Sequence, residues 1–234
     1  MKVLAVGAHP DDLEISCAGT LTKMVQAGHE VVLCHASDGD KGHYEIPPGQ
    51  LTAMRRKEAE RAGAIIGCEV ISLGLRDGEV QSVNEDTRML FLNLFRTVRP
   101  DVVITHASND YMPDHREVHQ LVFDMTFMAT LPGFASQEPV LEKIPALFYM
   151  DNLAGLNFTP SIYVDITKQM DTKLNMLRQH HTQVKWLSEH DHIDIVDFVT
   201  THNKMRGFQG GCQYAEGFVH DYVWGRPNAV SFPV

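Results

Sequence analysis

Short apolar runs alternate with amphipathic stretches along the first 105 residues of the chain. The apolar runs are rich in Val, Leu and Ile, as buried strands are, whereas the stretches between them repeat apolar residues at helical spacing. Strands that are separated by such helices pair in parallel through right-handed crossovers. We therefore predict an α/β fold of the Rossmann-like, doubly wound type, with a mostly parallel sheet and helices on both faces. The predicted strands are Val3–Gly7, Glu30–His35, Glu69–Leu73 and Asp101–Thr105, and the predicted helices are Leu13–Gln26, Leu51–Ile66 and Asn84–Val98.

The pattern weakens after Thr130, where we predict two more strands, one long helix and a second helix that runs through Val199. Neither an internal repeat nor a linker interrupts the chain, so we expect one domain over residues 1–234 with a mixed α/β C-terminal part. The elements of this part are the strands Ala146–Met150 and Ile162–Val164, a helix from about Lys168 to Trp186, a turn at Ser188–His192, and the aperiodic segment Arg206–Val234.

The composition restricts the functions that the chain can carry. Its 234 residues are 44% hydrophobic, enough for one sizeable core, and its net charge of −10 argues against binding to nucleic acid or to an anionic membrane. No stretch approaches the roughly 18 apolar residues of a membrane span. The four cysteines form no CxxC pair, so we expect free thiols and a cytoplasmic location. We expect a small-molecule substrate, and the many Met and aromatic residues would allow a homo-oligomer.

The first predicted strand runs directly into a polar turn, His9-Pro10-Asp11-Asp12. Ligands of open α/β sheets bind at such strand ends, and zinc prefers His nitrogens and carboxylate oxygens. Because His9 and Asp12 are three residues apart in a tight turn, both can reach one ion. Asp11 would then lie beside the attacking water, where a carboxylate can act as general base. Without a further ligand, the same residues would be a polar turn with Asp12 as a helix N-cap.

The fourth predicted strand also ends in a polar cluster, which runs from His106 to His115. The carboxyl ends of parallel strands lie on one edge of a sheet, so the two clusters should meet there, with His115 as the third ligand. His115 and His119 would alternatively form a metal-binding pair on one helical face, although the glutamate of an HExxH motif is missing; otherwise His119 is a solvated helix residue. We predict a site of His9, Asp12 and His115 for Zn²⁺, with another divalent ion such as Fe²⁺ as the alternative.

Several motifs together resemble the PIG-L/LmbE-like family of zinc-dependent N-acetylglucosaminyl deacetylases. The resemblance spans most of the chain, and its first motif is quite specific. The motifs are Ala8-His9-Pro10-Asp11-Asp12-Leu13-Glu14, Arg55-Arg56-Lys57-Glu58, Asp77-Gly78, Pro113-Asp114-His115-Arg116, His180-His181-Thr182-Gln183 and Tyr214-Ala215-Glu216-Gly217-Phe218.

The resemblance implies a zinc-dependent hydrolase that removes an N-acetyl group from an N-acetylglucosamine-type amino sugar or its conjugate. From the residues alone, Arg55 would be a solvated helix charge and Asp77 a turn residue, so their roles depend on the resemblance. The positions that match the family are His9, Asp12 and His115 for the zinc ligands, Asp11 for the general base, and Arg55 and Asp77 for contacts with the sugar.

Met112 departs from the family pattern, in which a histidine three positions before the last zinc ligand helps to protonate or stabilise the intermediate. A thioether can do neither, and Asp114 loses the histidine that it would steady. Two alternatives to deacetylation of an amino sugar therefore stay open: a metal-dependent amidohydrolase for another small amide, and a metal-binding or sugar-binding relative without turnover. The histidines that are candidates to replace the missing one are His180, His181, His202 and His220.

Overall fold

Seven strands form a single sheet in the computed structural model, which describes residues 1–229 and 232–234. The strands are β1 (Lys2–Gly7), β2 (Glu30–Ser37), β3 (Glu69–Leu75), β4 (Val102–Thr105), β5 (Ala146–Met150), β6 (Ile162–Asp165) and β7 (Ala215–His220). The helices are α1 (Asp12–Ser16), α2 (Ala18–Gln26), α3 (Pro48–Ile66), α4 (Glu85–Val98), α5 (Pro113–Met128), α6 (Met170–Leu177), α7 (His181–Glu189) and α8 (Ile195–Gly210), and a short 3₁₀ helix covers Leu153–Gly155.

The strand order in the sheet is β3-β2-β1-β4-β5-β7-β6. The strands from β3 to β5 in this order are parallel, and β7 runs antiparallel to both β5 and β6. The chain therefore winds from β1 toward one edge and from β4 toward the other. A ligand crevice forms at the carboxyl ends of the strands where the winding direction changes. The predicted Rossmann-like sheet with a mixed C-terminal part is confirmed.

The central strand β1 shows how both faces of the sheet are covered. Val3 and Ala5 face a core that includes residues of α1, α2, α6 and α8, whereas Leu4 and Val6 face a second core with α4 and α5. All four side chains are fully buried. Successive side chains of a strand point to opposite faces, so a strand that is buried on both faces needs a continuous apolar run. This requirement explains why β1 has no polar alternation.

The helix predicted over residues 13–26 is divided into α1 and α2 at Cys17, whose φ of −145° lies outside the helical region. The carboxylate of Glu216 on β7 accepts hydrogen bonds from two backbone N–H groups at the start of α2, at 2.9 and 2.7 Å. Lys173 Nζ donates to Glu216 Oε1 at 2.6 Å and to the carbonyl of Ile15 at 2.8 Å. This fully buried ion pair satisfies backbone groups on both sides of the division, which makes two helices possible where the periodicity predicts one.

The long helix predicted from about Lys168 to Trp186 is wrong in the same way, because α6 and α7 are separate helices. The carboxylate of Glu58 accepts hydrogen bonds from the N–H and the hydroxyl of Thr182, at 3.0 and 2.6 Å, and so caps the first turn of α7. The following helix α8 extends past the predicted end at Val199 and stops at Gly211, which has a φ of 76°.

The segment without a clear period contains β7, which the sequence pattern does not predict. This strand lies between β5 and β6, and nearly all of its residues are buried, including Glu216. A strand of this kind lacks the polar alternation that identifies a half-buried strand. Gly217 is needed within it, because an added Cβ atom would lie 2.6 Å from a side-chain carbon of Pro160.

Each helix in the described residues is either too short or too polar to cross a bilayer.

Candidate metal centre and active site

The turn after β1 places its polar side chains at the crevice between β1 and β4. Asp11 precedes α1 with a φ of 117°, a left-handed conformation that non-glycine residues rarely adopt. Asp12 begins α1, and its Oδ2 accepts a hydrogen bond from the His9 N–H at 2.7 Å. Such strain persists only where the surrounding structure enforces it, and it is concentrated at functional sites.

The structure brings the predicted ligands His9, Asp12 and His115 together. One nitrogen or carboxylate oxygen from each lies within 4.8 Å of the corresponding atoms of the other two. His115 Nε2 is 3.2 Å from Asp12 Oδ1, and His9 Nδ1 is 3.5 Å from Asp12 Oδ2. All three residues are buried. Burial opposes ionisation of Asp12, but His115 and His106 hold the pKa of its carboxyl well below the usual range, so the carboxylate is charged.

His115 is held by Asp110, which the sequence analysis did not select. Asp110 Oδ2 lies 2.9 Å from His115 Nδ1, so in the neutral ring this nitrogen carries the proton and Nε2 has the lone pair that a metal ion would take in place of the second proton. Nε2 is buried and has no hydrogen-bond partner among the described residues. Burial alone would lower the pKa of His115, but Asp12 and Asp110 raise it to about 9. A buried nitrogen without a partner, beside a carboxylate, has the donor chemistry that a zinc ion takes.

His9 is held from its other side by two carboxylates. His9 Nε2 lies 3.2 Å from Asp114 Oδ2 and 3.3 Å from Asp77 Oδ1, which leaves Nδ1 directed toward Asp12. Asp114 Oδ2 also accepts a hydrogen bond from the Gly78 N–H at 2.7 Å. Asp114 therefore has partners although Met112 replaces the histidine that it would otherwise steady. Burial lowers the pKa of His9, but its carboxylate neighbours raise it well above the ordinary value.

Two further groups of metal-capable side chains overlap with this one, and each shares a histidine with it. The first group contains His106, Asp110 and His115, and the second contains His9, Asp77 and Asp114. In the first group Asp110 contacts His115 at Nδ1, and in the second Asp77 and Asp114 contact His9 at Nε2. Each of these nitrogens faces away from Asp12. The carboxylates therefore orient ligands, whereas the group with Asp12 offers the free nitrogen of His115.

His106 is a second residue that the sequence analysis did not select. Its Nε2 accepts a hydrogen bond from the Ala8 N–H at 2.9 Å, and its ring stacks on that of His115 at a centroid distance of 3.8 Å. Burial, and then the charge of His115, lower the pKa of His106 to about 4. The ring is therefore neutral and supports His115 by packing. A histidine directly after a strand was the only sequence signal for this role.

Arg55 reaches the turn from α3 and is almost fully buried, which differs from the solvated helix charge that its sequence alone suggests. Its guanidinium donates to the carbonyls of Pro10 and Gly39 at 2.7 and 3.0 Å and lies 3.5 Å from Asp11 Oδ1. Burial raises the pKa of Asp11, Arg55 lowers it, and Asp12 raises it, with a net value of about 6. Asp11 is therefore mostly ionised at pH 7 but can hold a proton readily.

The candidate replacements for the missing histidine lie in different surroundings. His180 is fully buried, 3.3 Å from the carboxylate of Glu14, whereas His181 is exposed. His202 faces Asp151 at 3.1 Å. His220 stacks on a phenylalanine of β5. Neither these residues nor His119, which donates to the backbone carbonyl of His106, belong to the metal-capable groups of the described chain.

A cavity of about 500 Å³ opens over the cluster. It is large enough for a monosaccharide with a substituent. Its lining includes every predicted site residue except the deeper His115, and it also includes Met112 and Gln183. The predicted residues in the lining are His9, Asp11, Asp12, Arg55 and Asp77.

The model of the PIG-L family, described as GlcNAc-PI de-N-acetylase, matches residues 4–126. The chain belongs to the PIG-L family. The matched region contains the turn after β1, the start of α5 and all six predicted site residues. The family expectation from the sequence motifs is therefore confirmed.

Two relatives of this chain in sequence are deacetylases of acetamido sugars. Diacetylchitobiose deacetylase from Thermococcus kodakarensis is 30% identical over 190 residues, which are 78% of this chain and 70% of that protein. A 1D-myo-inositol 2-acetamido-2-deoxy-alpha-D-glucopyranoside deacetylase from Salinispora arenicola is 24% identical over 242 residues, covering 80% of this chain and 78% of that protein.

The fold is similar to that of a solved deacetylase. The structure of N,N'-diacetylchitobiose deacetylase from Pyrococcus horikoshii has a TM-score of 0.82 and 26% identity, over 94% of this chain and 83% of that one. These three proteins are deacetylases, hydrolases that act on an amide bond, which is the enzyme class that the motifs predicted. The fold alone does not carry this activity, since 4-carboxy-2-hydroxymuconate hydratase from Pseudomonas putida shares the fold with a TM-score of 0.80 and 21% identity, over 98% of this chain and 99% of that one.

Proposed function

We propose that this chain is a zinc-dependent hydrolase that removes an N-acetyl group from an N-acetylglucosamine-type amino sugar or its conjugate. The observation that carries the proposal is the convergence of His9, Asp12 and His115 in a buried cluster at the floor of a cavity. Asp11 lines the same cavity, next to the cluster. Membership of the PIG-L family and the deacetylase activity of its relatives support this reading.

The metal would be held by two imidazoles and one carboxylate. This donor set suits Zn²⁺ and leaves a coordination position for the reaction. When bound, a divalent ion of this kind polarises an amide carbonyl and lowers the pKa of water. Asp110 supports the site by keeping the His115 proton on Nδ1, and Asp114 and Asp77 hold His9 on its Nε2 side.

Asp11 is the proposed general base. Its pKa of about 6 leaves it ionised at neutral pH, and its left-handed backbone keeps the carboxylate at the cavity beside the metal cluster. It takes a proton from the attacking water as the new C–O bond forms. Arg55 fixes the turn that carries Asp11 by donating to the Pro10 carbonyl.

Asp11 is also the proposed source of the proton for the leaving amine. Met112 lines the cavity but has no proton to donate. His180 is fully buried and lies outside the cavity lining, so it has no direct access to the amine. Because the pKa of Asp11 is close to neutral, the acid formed in the first step can return its proton in the second.

The sugar would lie on the polar side of the cavity, which Gly42, Arg55, Asp77 and Gln183 form together. A Cβ atom added to Gly42 would be 3.1 Å from Arg55 Nη1, 3.5 Å from Gln183 Oε1 and 3.8 Å from Asp77 Oδ2. These atoms therefore surround one small space. Guanidinium, carboxylate and amide groups are suitable partners for sugar hydroxyls.

The test is to measure metal content and acetate release from N-acetylglucosamine derivatives for the wild type and for His9→Ala. The exposed histidine of α7 offers a matched control, His181→Ala, which should keep both metal and activity. The proposal is supported if His9→Ala loses both metal and activity while His181→Ala keeps both. A full metal complement without acetate release, but with hydrolysis of another amide, would contradict the sugar substrate. Metal and sugar binding without any hydrolysis would contradict the enzymatic role.

A further inference from the structure

The cavity over the metal cluster has two unlike sides. Its polar side is the space around Gly42 described above. Its other side is built from apolar side chains of α1, the 3₁₀ helix, the end of α7 and the start of α8. We refer to this second surface as the apolar side, and its residues are Ile15, Leu153, Leu187, Ile193, Ile195 and Phe198.

The apolar side is one continuous surface that begins next to the metal cluster. Ile15 lies three residues after Asp12 on α1, and residues at this spacing share a helical face. Ile15 and Ile195 are buried in the same core cluster, against which Leu153 and Phe198 pack. Ile193, in the loop between α7 and α8, extends this surface. Its N–H donates a hydrogen bond to the Leu187 carbonyl near the end of α7 at 2.9 Å, which holds the loop in place.

The extent of this surface exceeds what an acetyl group requires. Ile193 is 39% exposed at the cavity, and Leu156, which also lines it, is 68% exposed. A methyl group would cover only the part beside Ile15. Apolar surface that faces a binding cavity gains free energy when a ligand removes it from water.

The two substituents of an amide carbonyl indicate which part of a substrate would lie on the apolar side. The carbonyl carbon carries two substituents, the nitrogen with its sugar and the carbon chain of the acyl group. With the carbonyl at the metal cluster and the sugar against Arg55 and Asp77, the acyl chain extends toward the opposite side of the cavity. Met112 also lines the cavity, three residues before His115, so its apolar side chain extends this surface toward the metal cluster.

We infer that this chain hydrolyses amino sugars whose N-acyl group is longer than acetyl, with the acyl chain on the apolar side. The inference rests on the proposed function. In the reaction the amide C–N bond breaks, water supplies OH to the carbonyl carbon and a proton to the nitrogen, and a longer carboxylic acid and the free amino sugar are released.

The experiment compares kcat/KM for N-acetyl-, N-butanoyl-, N-hexanoyl- and N-octanoylglucosamine. Burial of each added methylene should raise kcat/KM about fourfold until the apolar side is covered. The ratio of the octanoyl to the acetyl value should fall in Phe198→Ser. It should stay at the wild-type ratio in Phe208→Ser, because Phe208 is on the same helix but 77% exposed and outside the cavity lining.

Two results would overturn the inference. The first is a kcat/KM that stays flat or falls with acyl length while acetate is still released. The second is a kcat/KM that rises when an alkyl group is added at C1 of N-acetylglucosamine but not when the acyl chain is lengthened. The apolar side would then hold the aglycone.

Binding measurements separate failure of this inference from failure of the proposed function. Asp11→Asn removes the proposed base and slows hydrolysis, so its complexes with N-acyl sugars can be titrated by calorimetry before much substrate is consumed. Tighter binding of N-octanoylglucosamine than of N-acetylglucosamine supports the placement of the acyl chain on the apolar side. If the wild type then releases no acid from either sugar, it is the proposed hydrolysis that fails. Equal binding contradicts it, whatever the wild type hydrolyses.

Discussion

The N-terminal and C-terminal parts of this molecule contribute to the same site in different ways. The segments that follow β1, β3 and β4 supply every side chain of the metal-capable groups found in the described residues, and the last of these along the chain is His115. The part after β5 supplies buried support and cavity wall: Lys173 and Glu216 hold α1 and α2, and His180 lies behind Glu14. The metal-capable side chains thus come from segments that follow strands of the parallel sheet, whereas the buried support comes from the C-terminal part of the chain.

This difference predicts how substitutions in the two parts should behave. Changes in the turn after β1 or before α5 should reduce catalysis or metal binding while the fold persists. Changes in the buried pairs of the C-terminal part should reduce the free energy of unfolding first.

Asp11→Asn tests the chemical role of the N-terminal part. The amide cannot accept the proton of the attacking water, so kcat should fall by about 10²- to 10⁴-fold. Metal content should stay at the wild-type level, because Asp11 is not among the metal-capable groups of the described residues. Acetate release and metal analysis on the same sample check both statements. A variant that keeps its metal and turns over at the wild-type rate would exclude Asp11 as the base.

Lys173→Met tests the structural role of the C-terminal part. Lys173 and Glu216 are both fully buried, and the change leaves the carboxylate of Glu216 without its counter-charge. The free energy of unfolding should fall by about 3–5 kcal/mol, measured by denaturant titration.

Lys185→Met is the matched control for Lys173→Met. It removes an exposed ion pair with Glu189 on α7, so its cost should stay below about 1 kcal/mol. Adding Glu216→Gln to Lys173→Met should recover part of the stability, because no unpaired charge is then buried. Equal costs for the two lysine substitutions would contradict the assigned role of the buried pair.

Asp110→Asn tests whether the contact with His115 Nδ1 supports metal binding. Loss of the carboxylate should weaken the Zn²⁺ affinity by about 10- to 100-fold, as is typical for partners of metal-binding histidines. Competition with a chromophoric chelator measures the dissociation constant. Asp171→Asn on the exposed part of α6 is a control that should leave it unchanged. An unchanged affinity in Asp110→Asn would show that the neighbouring ring of His106 suffices to orient His115.

His180→Gln tests a smaller effect, which depends on pH. Burial lowers the pKa of His180, but Glu14 raises it above its ordinary value in the folded protein. The protonated ring therefore stabilises the fold fully below a pH of about 6.5, the ordinary value of an unfolded histidine, and this contribution disappears as the pH rises through the folded pKa. The difference in unfolding free energy between wild type and variant should shrink from pH 5.5 to pH 9. A difference that grows over this range would contradict the assigned sign.

The sequence was sufficient to predict the parallel part of the sheet and the meeting of two polar clusters. This worked because short apolar runs such as β1 and β4, bounded by polar turns, are typical of buried strands, and because the polar clusters that contain His9, Asp12 and His115 each begin directly after such a strand. Residues that orient ligands were harder to select. Asp110 and His106 lie in the predicted cluster, but their roles depend on three-dimensional contacts, namely the bond of Asp110 to His115 Nδ1 and the stacking of the His106 ring on that of His115.

The errors share one physical cause, which is long-range contact between buried charges and backbone groups. The division of α1 from α2 depends on Glu216, and the start of α7 depends on Glu58. The spacing of apolar residues within a short stretch of sequence carries no information about such long-range contacts. The same holds for Arg55, whose burial results from the carbonyls of Pro10 and Gly39.

The most direct test of the central claim is a metal titration of the chelator-treated protein, with acetate release from N-acetylglucosamine as the readout. If one buried site at the ends of β1 and β4 carries the reaction, activity should rise with added Zn²⁺ and level off at about one equivalent per chain. His115→Ala should show no rise. Undiminished acetate release from the metal-free protein, or a His115→Ala variant that responds like the wild type, would contradict the account.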